Sequence, residues 1–228
     1  MSELPRHMSY IYAGGQEQCL CFGPKDAARR ILILPPLFDE MNRTRRTLVQ
    51  AMRELAARGI ASCLPDYPGC NESMAALEQQ SIDGWRGAVT SAADLFGATH
   101  VFSVRGGGLL DDVPGLPVMR LASAKGASLV KTLVRTQIAG DKETGILSTA
   151  DGLAQQALTG TVALAGNVFS AQLWADLDNA VPIENELISE MDLTDIQGSA
   201  LWLRAEPGYD QGMAAALAEA LNAWSIQI

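Results

Sequence analysis

Val101, Phe102 and Val104 make a short apolar, β-favouring run; Arg105 follows, then Gly106, Gly107 and Gly108, then Leu109 and Leu110. No other stretch constrains the fold as much. Strand, glycine-lined sharp turn and helix-capable continuation together form the elbow that lifts one side chain above the edge of a sheet. The pattern small-x-nucleophile-x-Gly reads Ser103-x-Arg105-x-Gly107. The tip is therefore an arginine, which keeps its proton and cannot attack an electrophile. The Gly106 amide, at the start of the expected helix, and an amide from Leu37 or Phe38 would still face a shared point, as in an oxyanion hole. The same glycines also allow close packing of strand on helix.

Around this elbow, strands and helices alternate. Ser9–Ala13 and Gln18–Phe22 flank Gly14 and Gly15 and read as an N-terminal β-hairpin. The continuous apolar run Arg30–Leu34 suits a strand covered on both faces. A helix is expected over Arg43–Arg58 and stopped by Gly59, then a strand over Ile60–Leu64. Ser81 should cap a helix to about Phe96, and Pro117–Leu121 reads as a strand after the elbow. Amphipathic helices over Lys125–Gly140 and Ser148–Leu158 interrupt the alternation. Thr161–Ala165 is expected to resume the sheet, with a helix over Phe169–Leu177 and a last strand over Ala200–Arg204. Residues 180–197 are acidic and irregular and receive no element; Asp210 should cap a final helix. The expected architecture is an α/β core, 1–122 and 161–228, with a mostly parallel sheet and a small helical cap at 123–160.

The 228 residues suffice for such a core, and 26 acidic against 17 basic side chains argue against nucleic acid or an anionic membrane as partner. No apolar run approaches a membrane span, and Met1–Tyr12 is too polar for a secretory signal, so a cytoplasmic protein is expected. Cys19, Cys21, Cys63 and Cys70 show no zinc spacing and read as buried free thiols. Neither a metal nor any other cofactor is expected.

The segments Pro35–Arg46, Pro65–Ser73 and Gly126–Gln137 resemble the second hydrolase-like family of exosortase A systems, encoded with bacterial exopolysaccharide genes. The resemblance covers roughly residues 30–178 and weakens beyond Asn179. It implies the α/β-hydrolase fold, with arginine usual at the elbow. Laid on this chain, the nucleophile position is Arg105, the place of the acid falls near Asn167, and the place of the histidine falls at Glu206. The two histidines are His7, in an N-terminus expected to be loose, and His100, at the wrong end of the elbow strand. A Ser-His-Asp triad cannot be assembled from them.

Asp39 and Glu40 follow the strand beside the elbow strand and are candidates for acid–base work or for pairing with Arg105. Cys70 lies on a loop at the same edge and is the candidate thiol nucleophile, without a histidine to activate it. Arg43, Arg45 and Arg46 read as a solvated helix face ahead of a phosphate site. The expected function is binding of a small anionic or carbohydrate-related ligand, or a partner, in the old active-site cleft. The alternative is unconventional hydrolysis or acyl transfer using Glu40, Asp39 or Cys70. Glu40 or Glu206 is expected to neutralise Arg105, because an unpaired buried guanidinium is costly.

Overall fold

The computed structural model describes residues 5–204, 206 and 208–227. Its sheet is built on the apolar runs. β1 (Arg6–Tyr12) and β2 (Gly15–Phe22) form the N-terminal hairpin, and β3 (Arg30–Leu34), β4 (Ala61–Pro65), β5 (His100–Val104) and β6 (Val118–Leu121) follow. With β9 (Ile188–Met191) they give the order β1-β2-β4-β3-β5-β6-β9. Pairing is antiparallel for β1–β2 and β2–β4 and parallel from β4 through β9. β5 lies inside the sheet between β3 and β6, where its apolar residues are covered on both faces.

Alternation along these strands divides the core. Ile31, Ile33, Phe102 and Val104 face α1 (Asp39–Ala57) and α6 (Gln211–Trp224), against Leu48, Met52, Leu217 and Leu221. Leu32, Leu34 and Val101 face α2 (Ile82–Phe96), whose Trp85, Val89 and Phe96 form its buried stripe. The capping signals act as read. The Ser81 hydroxyl accepts from the Gly84 amide, and the Asp210 carboxylate accepts from the Met213 amide at 2.9 Å.

Several expectations need correction. α1 begins at Asp39, four residues before Arg43, because Asp39 and Glu40 occupy the first turn, where the helix dipole favours carboxylates. The elbow is followed by a 3₁₀ turn, Arg105–Leu109, and not by an α-helix. Three consecutive glycines each cost about 1 kcal/mol in a helix, and Pro114 and Pro117 lie close behind. Thr161–Ala165 does not rejoin the sheet: β7 (Val162–Leu164) pairs only with β8 (Asn167–Phe169) in a separate hairpin. Ala200–Arg204 is no strand, since Leu201–Leu203 form a 3₁₀ turn; the sheet's last strand, β9, comes from the segment 180–197. His7 is not in a loose terminus but in the β1–β2 ladder, opposite Leu20; residues 1–4 lie outside the described residues.

α3 (Gly126–Glu143), α4 (Ala150–Thr159), the β7–β8 hairpin and α5 (Ala171–Asn179) pack together off the main sheet. The unit is stitched where the chain enters and leaves it. The Gly126 amide donates to the Ala180 carbonyl at 2.9 Å, and a Cβ on Gly126 would fall 1.8 Å from the Leu177 oxygen.

Candidate functional site

The parallel strands deliver their carboxyl ends to one edge, and the backbone there is unusual. Phe38 after β3, Arg105 after β5 and Ala122 after β6 have φ of 56°, 54° and 51°. Left-handed φ at a residue with a Cβ costs of order 1–3 kcal/mol and persists only where the surroundings enforce it. At Arg105 the enforcement is visible. A Cβ on Gly107 would come within 2.5 Å of the Leu34 carbonyl oxygen and 2.7 Å of that of Pro35, so only glycine lets the turn sit on the end of β3. A Cβ on Gly106 would fall 2.8 Å from Leu129 Cδ1 and 3.1 Å from Leu37 Cγ, so glycine there lets the Leu37–Phe38 turn sit beside the elbow.

Raised above the sheet, Arg105 meets Glu40 from the first turn of α1. Its Nε donates to Glu40 Oε2 at 3.2 Å and its Nη2 to Glu40 Oε1 at 3.1 Å. Its Nη1 reaches the Ala122 carbonyl at 3.4 Å, and the guanidinium carbon stands 5.0 Å from the centre of the Trp202 ring. The side chains are 20% and 10% exposed, so the pair is screened from water on most sides. The two-pronged carboxylate bond takes the Nε–Nη2 edge of the guanidinium, and the Trp202 ring covers one of its faces.

The other candidates fall elsewhere. Glu206 is exposed, and Arg105 takes Glu40 in its place. Asn167 spends its amide on its own hairpin, donating to the carbonyls of Leu164 and Ala165, and its strand is outside the main sheet. Asp39 is half exposed and pairs with Arg43 at 3.3 Å, while Arg43 also donates to the Trp202 carbonyl. Cys70 is buried, and burial pushes its thiol up to about 12, with Glu17 and Asp66 adding to the shift. Burial of this kind disfavours the thiolate, the nucleophilic form. Arg45 pairs with Asp66, and Arg46 lies over the Tyr209 ring.

Between the elbow edge and α3 the remaining space is a cavity of about 30 Å³, bounded by Phe38, Glu40, Leu129, Thr132 and Thr136. A cavity needs ~10–15 Å³ to hold a water, so this one holds about two.

Two clusters were missed by sequence reasoning. Beneath the elbow, Arg120 is fully buried and grips Asp111 through two bonds of 2.8 Å, while Ser103 donates to the same carboxylate at 2.6 Å. Arg120 Nη2 also donates to the Ile183 carbonyl at 2.7 Å, tying the segment before β9 to β6. The available signal was an arginine inside the apolar run Val118–Leu121, which demands a partner. On the opposite half of the sheet, Cys19, Cys21 and Cys63 bring their sulfurs within 4.8 Å of one another. Their spacing along the chain shows nothing of this, because the register of β2 on β4 creates it.

No protein-family model matches the chain, and no curated protein matches it in sequence. Solved structures do. The esterase domain of a Rhodothermus marinus protein aligns at a TM-score of 0.58, covering 99% of each chain at 14% identity. Est1E from Butyrivibrio proteoclasticus, solved with ferulic acid bound, aligns at 0.59, covering 96% of this chain and 98% of its own at 12% identity. At such identities the likeness establishes architecture: the chain has the α/β-hydrolase fold, with a mostly parallel, mixed seven-stranded sheet. Among the described residues no helix is long and apolar enough to cross a membrane.

Proposed function

We propose that this protein is a non-catalytic member of its fold, a binder whose elbow carries an ion pair in place of a nucleophile. The observation that carries this reading is the two-pronged Arg105–Glu40 pair at the elbow tip. It engages Glu40, while Arg43 engages Asp39, and it fixes at the tip a group that can neither attack nor accept a proton. Cys70, the other reactive candidate, is silenced by burial.

The ligand class follows from the walls. Arg105 and Arg43 are balanced by Glu40 and Asp39, which leaves no net charge to draw an anion. Thr132 and Thr136, one turn apart on α3, donate their hydroxyl protons to the Ser128 and Thr132 carbonyls, which leaves their oxygens as acceptors at the cavity that Phe38 also lines. A small neutral polyhydroxylated molecule, carbohydrate-related in chemistry, suits that lining better than a phosphate or carboxylate. Residues 123–160, with the β7–β8 hairpin and α5 packed on them, act as the cap that must shift to admit it. The resemblance of residues 30–178 to the exosortase-associated family supports a bacterial exopolysaccharide setting, and four free thiols suit the reducing cytoplasm.

A fluorophosphonate probe and a panel of aryl and thiol esters test the silence; the expected result is no labelled residue and no turnover. Arg105→Ser should also remain inactive: Glu40 meets the far end of the arginine side chain, beyond the reach of a serine hydroxyl, so the base whose assistance is worth ~10²–10⁴-fold is still missing. Titration with neutral saccharides, followed by amide chemical shifts, should move Phe38, Thr132 and Thr136 with little response to phosphate. Ester turnover abolished by Glu40→Gln would overturn the reading.

A further inference from the structure

The three gathered thiols lie far from the elbow edge in function and are unused by it. Cys21 on β2 stands directly opposite Cys63 on β4, and Cys19 follows two residues away on the same face of β2. Across β2, Met8 on β1 is the register partner of Cys19, and its Sδ lies 3.5 Å from the Cys21 sulfur. Cys19, Cys21 and Cys63 are each at most 1% exposed, while Met8 is half-buried at the sheet's edge strand. Four sulfurs thus converge, three walled in and one reaching towards solvent.

We propose that Cys19, Cys21 and Cys63 form a buried trigonal site for a single Cu(I) ion, with the Met8 thioether as a fourth, longer ligand at its entrance. Metal–thiolate bonds are about 2.3 Å long, which places three trigonal sulfurs about 4 Å apart. The present limit of 4.8 Å is therefore within a small side-chain adjustment of a closed site.

The donor set selects the metal. Structural zinc takes four ligands from Cys, His, Asp or Glu, and the metal-binding cluster found among the described residues holds three. Glu17, on the same strand face, is taken by the Ser73 hydroxyl at 2.6 Å. Thiolates with a thioether are soft ligands, and soft sets of this kind favour Cu(I).

Charge also closes. Cu(I) with three thiolates carries a net charge of −2, and the guanidinium groups of Arg6 and Arg30 both act on Cys21. Cys19, Cys21 and Cys63 each release a proton to water as their sulfur lone pairs bond the ion. The copper arrives and stays as Cu(I), so no electron is transferred.

The test is anaerobic titration of the reduced full chain with Cu(I) buffered by bicinchoninate. The protein should withdraw one equivalent, and X-ray absorption should find three short sulfur neighbours and no nitrogen or oxygen. Cys21→Ser and Cys63→Ser should each lower the affinity at least about 10-fold, Cys70→Ser should leave it unchanged, and Met8→Leu should keep the stoichiometry but slow uptake. Failure to compete with the chelator, a nitrogen- or oxygen-rich shell, or capture that survives Cys63→Ser would overturn the proposal. Should the serine variants not fold, the wild-type competition and its absorption spectrum still decide the matter.

Discussion

Arg120 and Asp111 hold each other by two parallel hydrogen bonds of 2.8 Å, with both side chains at 2% exposure or less. Burial works against the guanidinium charge, and the bonded Asp111 outweighs it, so Arg120 stays firmly protonated. Ser103, the register partner of Arg120 on β5, adds the third bond to the same carboxylate. The loop that leaves the elbow is thus anchored to the sheet by charge, in the place where a helix would otherwise anchor it by packing. Removing one partner of a buried pair costs about 3–5 kcal/mol, while replacing both by apolar groups is far milder. Asp111→Ala should show the full loss in chemical denaturation, and Asp111→Leu combined with Arg120→Met should recover most of it.

The pair at the elbow should respond less symmetrically. Glu40 has a second source of stabilisation, the N-terminal turn of α1, whereas among the described residues Arg105 has Glu40, one carbonyl and the Trp202 ring. Arg105→Met keeps the packing on Trp202 and should cost ~1 kcal/mol or less, because the site is partly exposed. Glu40→Gln strands the guanidinium and should cost ~2 kcal/mol. Urea midpoints of the two variants decide the order; the reverse order would show that Arg105 finds another anchor.

His100 gives the protein a pH-dependent term of known sign. Burial first, and Arg29 second, lower its pKa below the ordinary 6.5; its ring packs edge-on against Trp224, and Nε2 has no hydrogen-bond partner among the described residues. The folded state binds the proton less tightly than the unfolded one. The stability that a neutral His100 contributes is complete above about pH 6.5 and is lost as pH falls through the lower folded value. Burial raises the pKa of Glu17 and of Asp66, which contribute with the opposite sign. The proper readout is therefore a difference: the stability gap between wild type and His100→Gln should shrink as pH falls from 7 towards 5.

Glycine substitutions separate close approach from mere freedom. Gly107→Ala drives a methyl into the carbonyls of Leu34 and Pro35, backbone atoms that cannot rotate away, and should cost ~2 kcal/mol or more. Gly140, within α3, would meet nothing within 4 Å. Gly140→Ala should stabilise by ~0.5–1 kcal/mol in thermal or chemical unfolding.

The legible parts of this fold were those written in local pattern. Arg30–Leu34 and Val101–Val104 announced interior strands, and the Ser81 and Asp210 caps announced their helices, because periodicity and capping act within a few residues. The segment of β9 carries no strand signal, and that of β7 reads as part of the main sheet, because pairing decides both. Ile188–Met191 is half polar yet joins the sheet through β6, while the more apolar Val162–Leu164 folds back on Asn167–Phe169. The elbow and its Glu40 partner were readable from charge and adjacency. The Asp111–Arg120 pair and the three-thiol cluster arise from register, which no linear spacing displays.

The stitch between Gly126 and Ala180 changes how long the chain is in polymer terms. β6 ends at Leu121 and its sheet neighbour β9 begins at Ile188, a gap whose direct closure would be slow and entropically expensive. Once Gly126 and Ala180 are bonded, the intervening helices become a side loop and the two strands are separated by only a short effective tether. Topology then predicts an order of assembly in which the off-sheet unit closes before the sheet's last strand docks onto β6.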